Sequence, residues 1–299
     1  MNEDFKNEFE IDIKEVFTIL WTKKYLISLI VMIFAAISII YALSIPNIYT
    51  SKALLAPTDE NNSSITSQIG QYSSLAGMAG ISLPGVTGNT STEAMARIES
   101  FNFFKDHFLP NIKLENLLAV KEWDNQKNLL VYDNNIFNPI NNQWVDKSMA
   151  SSQQAFAEYK NIISISENNR SSYVSISIKH KSPLVAKRWL DIIITNINES
   201  MRNENKKAAT NSVDFLNATL ETTNIKEIRD VISQLLKSQM QNLMLTSASE
   251  SYVYKILDSP IAPERKSSPN RFFIVLFGTF IGFFIGVFIS FILYYRSER

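Results

Sequence analysis

The chain has 299 residues, with 29 Lys+Arg balancing 29 Asp+Glu, two His and no Cys. The even charge gives no basic excess for nucleic acid, and the absent thiols exclude disulfides, thiolate metal sites and a Cys nucleophile. The charged fraction of 19% is below the usual quarter because two long stretches carry no charge.

The first stretch is Tyr25–Leu43, 19 uncharged residues, and the second is Phe272–Tyr295, 24 uncharged residues. At about 1.5 Å per residue each can cross a hydrocarbon core of roughly 30 Å. Trp21, Tyr25, Tyr41, Tyr294 and Tyr295 stand at their edges, where amphipathic rings collect. The first stretch is too long, and its 24-residue leader too acidic, for a cleaved signal peptide. Lys6, Lys14, Lys23 and Lys24 precede the first span, while Lys52 alone follows it within 20 residues. This predicts a cytoplasmic N-terminus, residues 1–24, and a cytoplasmic tail, 296–299, around a large extracytoplasmic domain, 44–271. The cations Lys255, Arg265, Lys266 and Arg271 on the outer flank of the second span run against that rule.

After the first span, Ile48–Ala56 reads as a strand. The loop from about 57 to 92 holds five of the eight glycines. Its apolar centre, with Leu75, Met78, Ile81 and Leu83, is expected either to pack on the domain's own surface or to contact a partner or a neighbouring protomer. Helices are expected at 93–108 and 149–160, joined by an Asn-rich segment containing Trp123 and Trp144. Ile162–Ser166 and Ser172–His180 flank a turn and read as a hairpin, and Tyr252–Leu257 alternates as a further strand. Ser182-Pro183 supplies an N-cap followed by Pro at the first helical position. From there Leu184, Val185, Trp189, Ile192, Ile193, Ile197 and Met201 recur at helical spacing, predicting a helix over about 183–222 and a second over about 225–247 after Thr222-Thr223-Asn224. The fold class is therefore an α+β membrane protein, with two transmembrane helices flanking a domain that has a mixed β-sheet base and long protruding helices.

Catalytic patterns are missing. There is no G-x-x-x-x-G-K-[ST], no G-x-S-x-G and no H-E-x-x-H. His107 and His180 have no partner pattern that would mark a general base. No enzyme, cofactor or metal site is expected.

One motif stands out near the C-terminus: Pro260-x2-Pro263-x4-Ser268-Pro269-Asn270, eleven residues, then Gly282-x3-Gly286. It resembles the signature P-x2-P-x4-S-P-K-x11-G-x3-G of the polysaccharide co-polymerases, the Wzz-type chain-length determinants. Six anchors match, and the family's Lys position is Asn270, with Arg271 beside it. IDIKEVFTILWTKKYLI, YTSKALLAPT, SLAGMAGISLPG, HKSPLVAKRWL and KILDSPIAPERKSSPNR extend the resemblance. Three prolines withhold backbone donors and fix φ, so Pro260–Pro269 should form a stiff extended connector. Gly278, Gly282 and Gly286 lie four apart and should let another membrane helix approach, with Ala35, Ala36 and Ser38 as candidate partners in the first span.

The resemblance implies a non-catalytic inner-membrane protein of Gram-negative bacteria, with an extracytoplasmic α/β base and both termini in the cytoplasm. It implies a homo-oligomeric ring, most often an octamer, that sets the modal length of O-antigen. The partners it implies are a Wzy-type polymerase and the lipid-linked polysaccharide. A capsule or exopolysaccharide export co-polymerase working with a separate kinase is the neighbouring alternative. A two-span sensor is the alternative of another class, though 24 plus 4 terminal residues leave no room for an output domain.

Overall fold

A computed structural model describes residues 20–58, 90–146, 150–248 and 251–297. Leu75, Met78, Ile81 and Leu83 lie outside the described residues. The chain divides into two units, the terminal segments Met1–Asn47 with Ser267–Arg299, and the intervening Ile48–Lys266.

The first unit contains two apolar helices, α1 (Lys24–Ser44), and a C-terminal one, α7 (Arg271–Ser297), both long and apolar enough to span a bilayer. Ser44 and Ile45 end α1, Ile45 taking an extended backbone ahead of Pro46.

The second unit is built on a four-stranded sheet. Its strands are β1 (Tyr49–Pro57), β6 (Ile163–Glu167), β7 (Val174–His180) and β8 (Tyr254–Asp258), in the order β6-β7-β1-β8. Every pairing is antiparallel, so the expected mixed sheet gives way to an antiparallel one. The reason is connectivity. β6 and β7 form a tight hairpin, and β8 must run back along β1 so that the chain leaves the sheet at the end where it entered. Ser51 Oγ donates to Ile261 O at 2.8 Å, holding the departing chain beside the start of β1.

One sheet face carries Ala53, Leu55, Val174, Ile176 and Ile178, all buried. They form a core with Trp189, Leu190, Ile193, Ile194 and Ile197 of the long helix α5 (Pro183–Thr222). Ser182 caps α5, its Oγ accepting from Val185 N, and Pro183 occupies the first position, where no donor is needed. At 40 residues, α5 is about 60 Å long. Extended Thr223 ends it, and α6 (Lys226–Ala248) returns alongside.

Between β1 and β6 the order is α2 (Thr90–Ile98), α3 (Leu114–Leu118), β2 (Val120–Asp124), β3 (Leu129–Tyr132), β4 (Phe137–Asn138), β5 (Gln143–Trp144) and α4 (Ser152–Ile162). The helix expected over 93–108 is not continuous. Ser100 is extended, and its Oγ accepts from Phe103 N, restarting the chain as a short helical turn that widens at Phe104–Phe108. The break turns Phe104 and Phe108 inward, where their rings meet Tyr159 at 5.1 and 4.9 Å. The helix expected at 149–160 occupies Ser152–Ile162, capped by Ser151 Oγ.

The Asn-rich segment holds two small hairpins, β2–β3 and β4–β5. Each turn uses one device. Asp124 Oδ1 accepts from Gln126 N and Asn138 Oδ1 from Ile140 N, while Asn128 and Asn142, four residues on, take φ of 53°. Asn168 and Ser172 repeat it between β6 and β7, with Ser172 at φ 55°. Short polar side chains tolerate this left-handed region by local hydrogen bonding.

Candidate functional site

The motif residues fall in two settings, a helix pair and a connector. In the pair, α7 runs antiparallel to α1, with Gly278, Gly282 and Gly286 facing Ser38, Phe34 and Ile27 in turn. A Cβ at Gly282 would lie 2.6 Å from Phe34 Cβ, closer than carbon atoms approach, and one at Gly278 would collide with Ser38. At Gly286 the gap to Ile27 is 3.4 Å. Glycine is what lets the two backbones come together, the close packing that stabilises helices where lipid removes the hydrophobic drive. Ser290 continues the stripe, buried, its hydroxyl turned back on Gly286 O at 2.7 Å. Of the candidate partners on α1, Ser38 is in the seam and Ala36 is exposed. Phe34 and Ile27 take the remaining contacts, because 27, 34, 38 and 42 share a helix face and 36 does not.

Arg271 opens α7, and its Nε donates to Ala42 O at 3.0 Å, in the last turn of α1. A cation there meets carbonyls that the helix leaves unsatisfied. Asn270, at the family's Lys position, is exposed and its carbonyl receives Ile274 N.

In the connector, Pro260 is buried, Pro263, Ser268 and Pro269 are half-buried, and no helix or extended ladder forms between Asp258 and Arg271. It issues from β8, and β8 is held by a residue that sequence reading passed over. Asn198, buried midway along α5, accepts at Oδ1 from Val253 N (2.8 Å) and Tyr254 N (2.9 Å) and donates from Nδ2 to Tyr254 O (3.2 Å). The amide imitates a neighbouring strand. The signal was available: Asn198 sits in the helical stripe of Leu190, Ile194, Ile197 and Met201, where an apolar residue belongs.

The same short stretch anchors both sides of the 59–89 segment. Thr58 N donates to Val253 O at 3.0 Å, and Tyr254 Oη donates to Ser91 O at 2.9 Å.

Both His rings take part in contacts between elements. His180 is buried with its ring edge-on to Trp189, 4.8 Å between centroids. Ser182 N donates to its Nδ1 at 2.9 Å, so the proton resides on Nε2, which donates to Asn116 O at 2.9 Å. Both nitrogens are satisfied in the neutral form, and burial pushes the pKa down to about 4. Burial likewise lowers Lys181, whose Nζ donates to Val120 O. Burial raises the Tyr159 hydroxyl, which donates to Ile98 O at 2.8 Å. His107 Nε2 contacts Ser200 Oγ at 3.2 Å. These groups tie elements of the domain together.

The class defined so far is a two-span protein with an α+β domain between its membrane-capable helices. The family model "Wzz: Chain length determinant protein" matches residues 9–98, about a third of the chain. The Pro260–Gly286 motif lies outside the matched residues, so the two signals are separate. Among solved structures, a full-length bacterial polysaccharide co-polymerase aligns with 96% of this chain and 99% of its own, at 13% identity and a TM-score of 0.45. A fragment of WzzB, a polysaccharide co-polymerase from Salmonella Typhimurium, aligns with 74% and 100%, at 18% identity and 0.29. No curated protein matches the chain.

Proposed function

We propose that this protein regulates the chain length of a membrane-assembled polysaccharide without catalysing its polymerisation. In this reading it is an inner-membrane protein with both termini in the cytoplasm and residues 44–271 in the periplasm. It assembles as a homo-oligomeric ring, an octamer by family resemblance, and acts with a Wzy-type polymerase on the lipid-linked precursor of O-antigen. The observation that carries the reading is the pairing of two separate signals, the chain-length determinant match at residues 9–98 and the proline-glycine motif at 260–286. In this reading the face of Gly278, Gly282 and Gly286 joins the two spans, supported by its close approach to Ser38, Phe34 and Ile27.

Deletion followed by gel display of lipopolysaccharide tests it. The expected result is an altered length distribution with glycan synthesis retained. Loss of all polymer with normal precursor supply would overturn the non-catalytic reading, and an unchanged ladder would remove O-antigen as the substrate. Gly282→Leu should separate the spans at a cost of about 1–3 kcal/mol and broaden the length distribution while the domain between them stays folded.

A further inference from the structure

The antiparallel register places side chains of directly paired residues on one face. Opposite the α5-covered core, that face carries Thr50 beside Lys179, Lys52 beside Ser177 and Ser164, Leu54 beside Ser175 and Ser166, and Ala56 beside Lys255. Lys52, Lys179 and Lys255 are all exposed. Among the described residues none of the three is in an ion pair. Lys52 and Lys179 are diagonal neighbours, about 7–8 Å apart, so their charges repel with nothing placed between them. The one carboxylate that the register brings here, Asp258, is at the rim opposite Leu54. Hydroxyls fill the spaces, and Leu54 is exposed among them, with Leu257 exposed along the edge strand.

Cations, hydroxyls and a few exposed aliphatic side chains on one surface suit the phosphate-rich boundary of a bilayer. The chain provides the tether, since β1 starts five residues after the apolar helix α1 ends. The lysines on this face, with Arg265 and Lys266 in the connector, also account for positive charge that topology rules leave unexplained on that flank.

We propose that the exposed face of the four-stranded sheet, through Lys52, Lys179 and Lys255, docks on the anionic phospholipid surface of the membrane that α1 and α7 cross. The inference rests on the membrane reading of those helices and is independent of chain-length control. Each Lys→Gln change should lower the bound-to-free ratio of the face about fivefold.

The full-length chain contains no Cys, so Ser177→Cys carries a single fluorophore on this face, and Ser233→Cys on α6 serves as the control. The protein is reconstituted in vesicles of phosphatidylcholine, with or without phosphatidylglycerol, that contain a headgroup quencher. The expected result is stronger quenching at position 177 with phosphatidylglycerol, none added at 233, and reversal by high salt or by Lys52→Gln/Lys179→Gln/Lys255→Gln with an unchanged unfolding midpoint. Equal quenching in both lipids, or quenching that survives the triple change, would overturn the proposal. So would a response at 177 to inorganic phosphate or a soluble anionic glycan in phosphatidylcholine vesicles without one to phosphatidylglycerol, which would assign the face to a soluble anion.

Discussion

The two halves of α5 belong to one helix and live in different surroundings. From Ala186 to Met201 it buries Trp189, Leu190, Ile193, Ile194 and Ile197 against the sheet and the Phe104/Phe108/Tyr159 cluster. Beyond Met201 only Ala209 and Leu216 are buried, Leu216 with Ile232 and Leu235 of α6. At about 1.5–3 kcal/mol per buried large side chain, these five and Met201 anchor the first half and three hold the hairpin. The α6 interface also buries polar groups, and Gln239 Oε1 and Asn242 Nδ2 have no hydrogen-bond partner among the described residues. Phe215, Ile225, Ile228, Met240 and Met244 stay exposed. Continuous helical geometry therefore does not mean uniform stability. The first half shares the fate of the domain, and the hairpin opens locally at lower cost.

Breaking the anchored half should have the largest effect. Trp189→Ala removes a side chain that touches both Phe108 and His180, and should cost about 3–5 kcal/mol in denaturant unfolding of the full-length protein. Asn198→Ala leaves the amides of Val253 and Tyr254 without their acceptor, at about 1–3 kcal/mol each, and should raise hydrogen exchange across β8 before it does so in β7.

The anchored half should also respond to acid, through His180. Above its ordinary pKa near 6.5 the ring is neutral folded and unfolded, and contributes no pH dependence. Between about 6.5 and about 4 the unfolded chain binds a proton that the buried ring refuses, so stability falls as pH falls. The loss amounts to about 3 kcal/mol and stops below about 4, where both states are protonated. His180→Asn should flatten that part of the stability curve. A slope identical to that of the unaltered protein would contradict the neutral, doubly bonded ring.

The smallest change sharpens the contrast. Leu235→Ala in the hairpin should cost about 2 kcal/mol, the low end for such truncations. It should speed exchange through α6 and the second half of α5 while leaving the first half protected.

Much of this architecture was legible in residue order. Two uncharged stretches, the Ser182-Pro183 cap and the apolar recurrence after it depend on local chemistry that a one-dimensional pattern records. The hairpins around Trp123 and Trp144 were less visible because their strands are two to five residues long, too short for an alternation to register. Their turns did leave a trace, an Asp or Asn followed four residues later by Asn. The helix break at Ser100 escaped because a Ser between Glu99 and Phe101 reads as helix interior unless its backbone is known to be extended.

The candidate site divides in the same way. Residue order by itself determined the prolines that keep the connector out of helix and ladder and the glycine spacing that makes one helix face small, since both follow from what each residue lacks: a backbone donor or a Cβ. Tertiary structure alone decided what that face meets. Only folding brings Phe34 and Ile27, rather than Ala36, into the seam, sets Arg271 on the end carbonyls of α1, and turns Asn198 from a flaw in an apolar stripe into the clasp on β8. Those roles arise between residues tens to hundreds of positions apart, and a contact across that separation is a property of the packed chain, where burial and hydrogen-bond satisfaction are settled together.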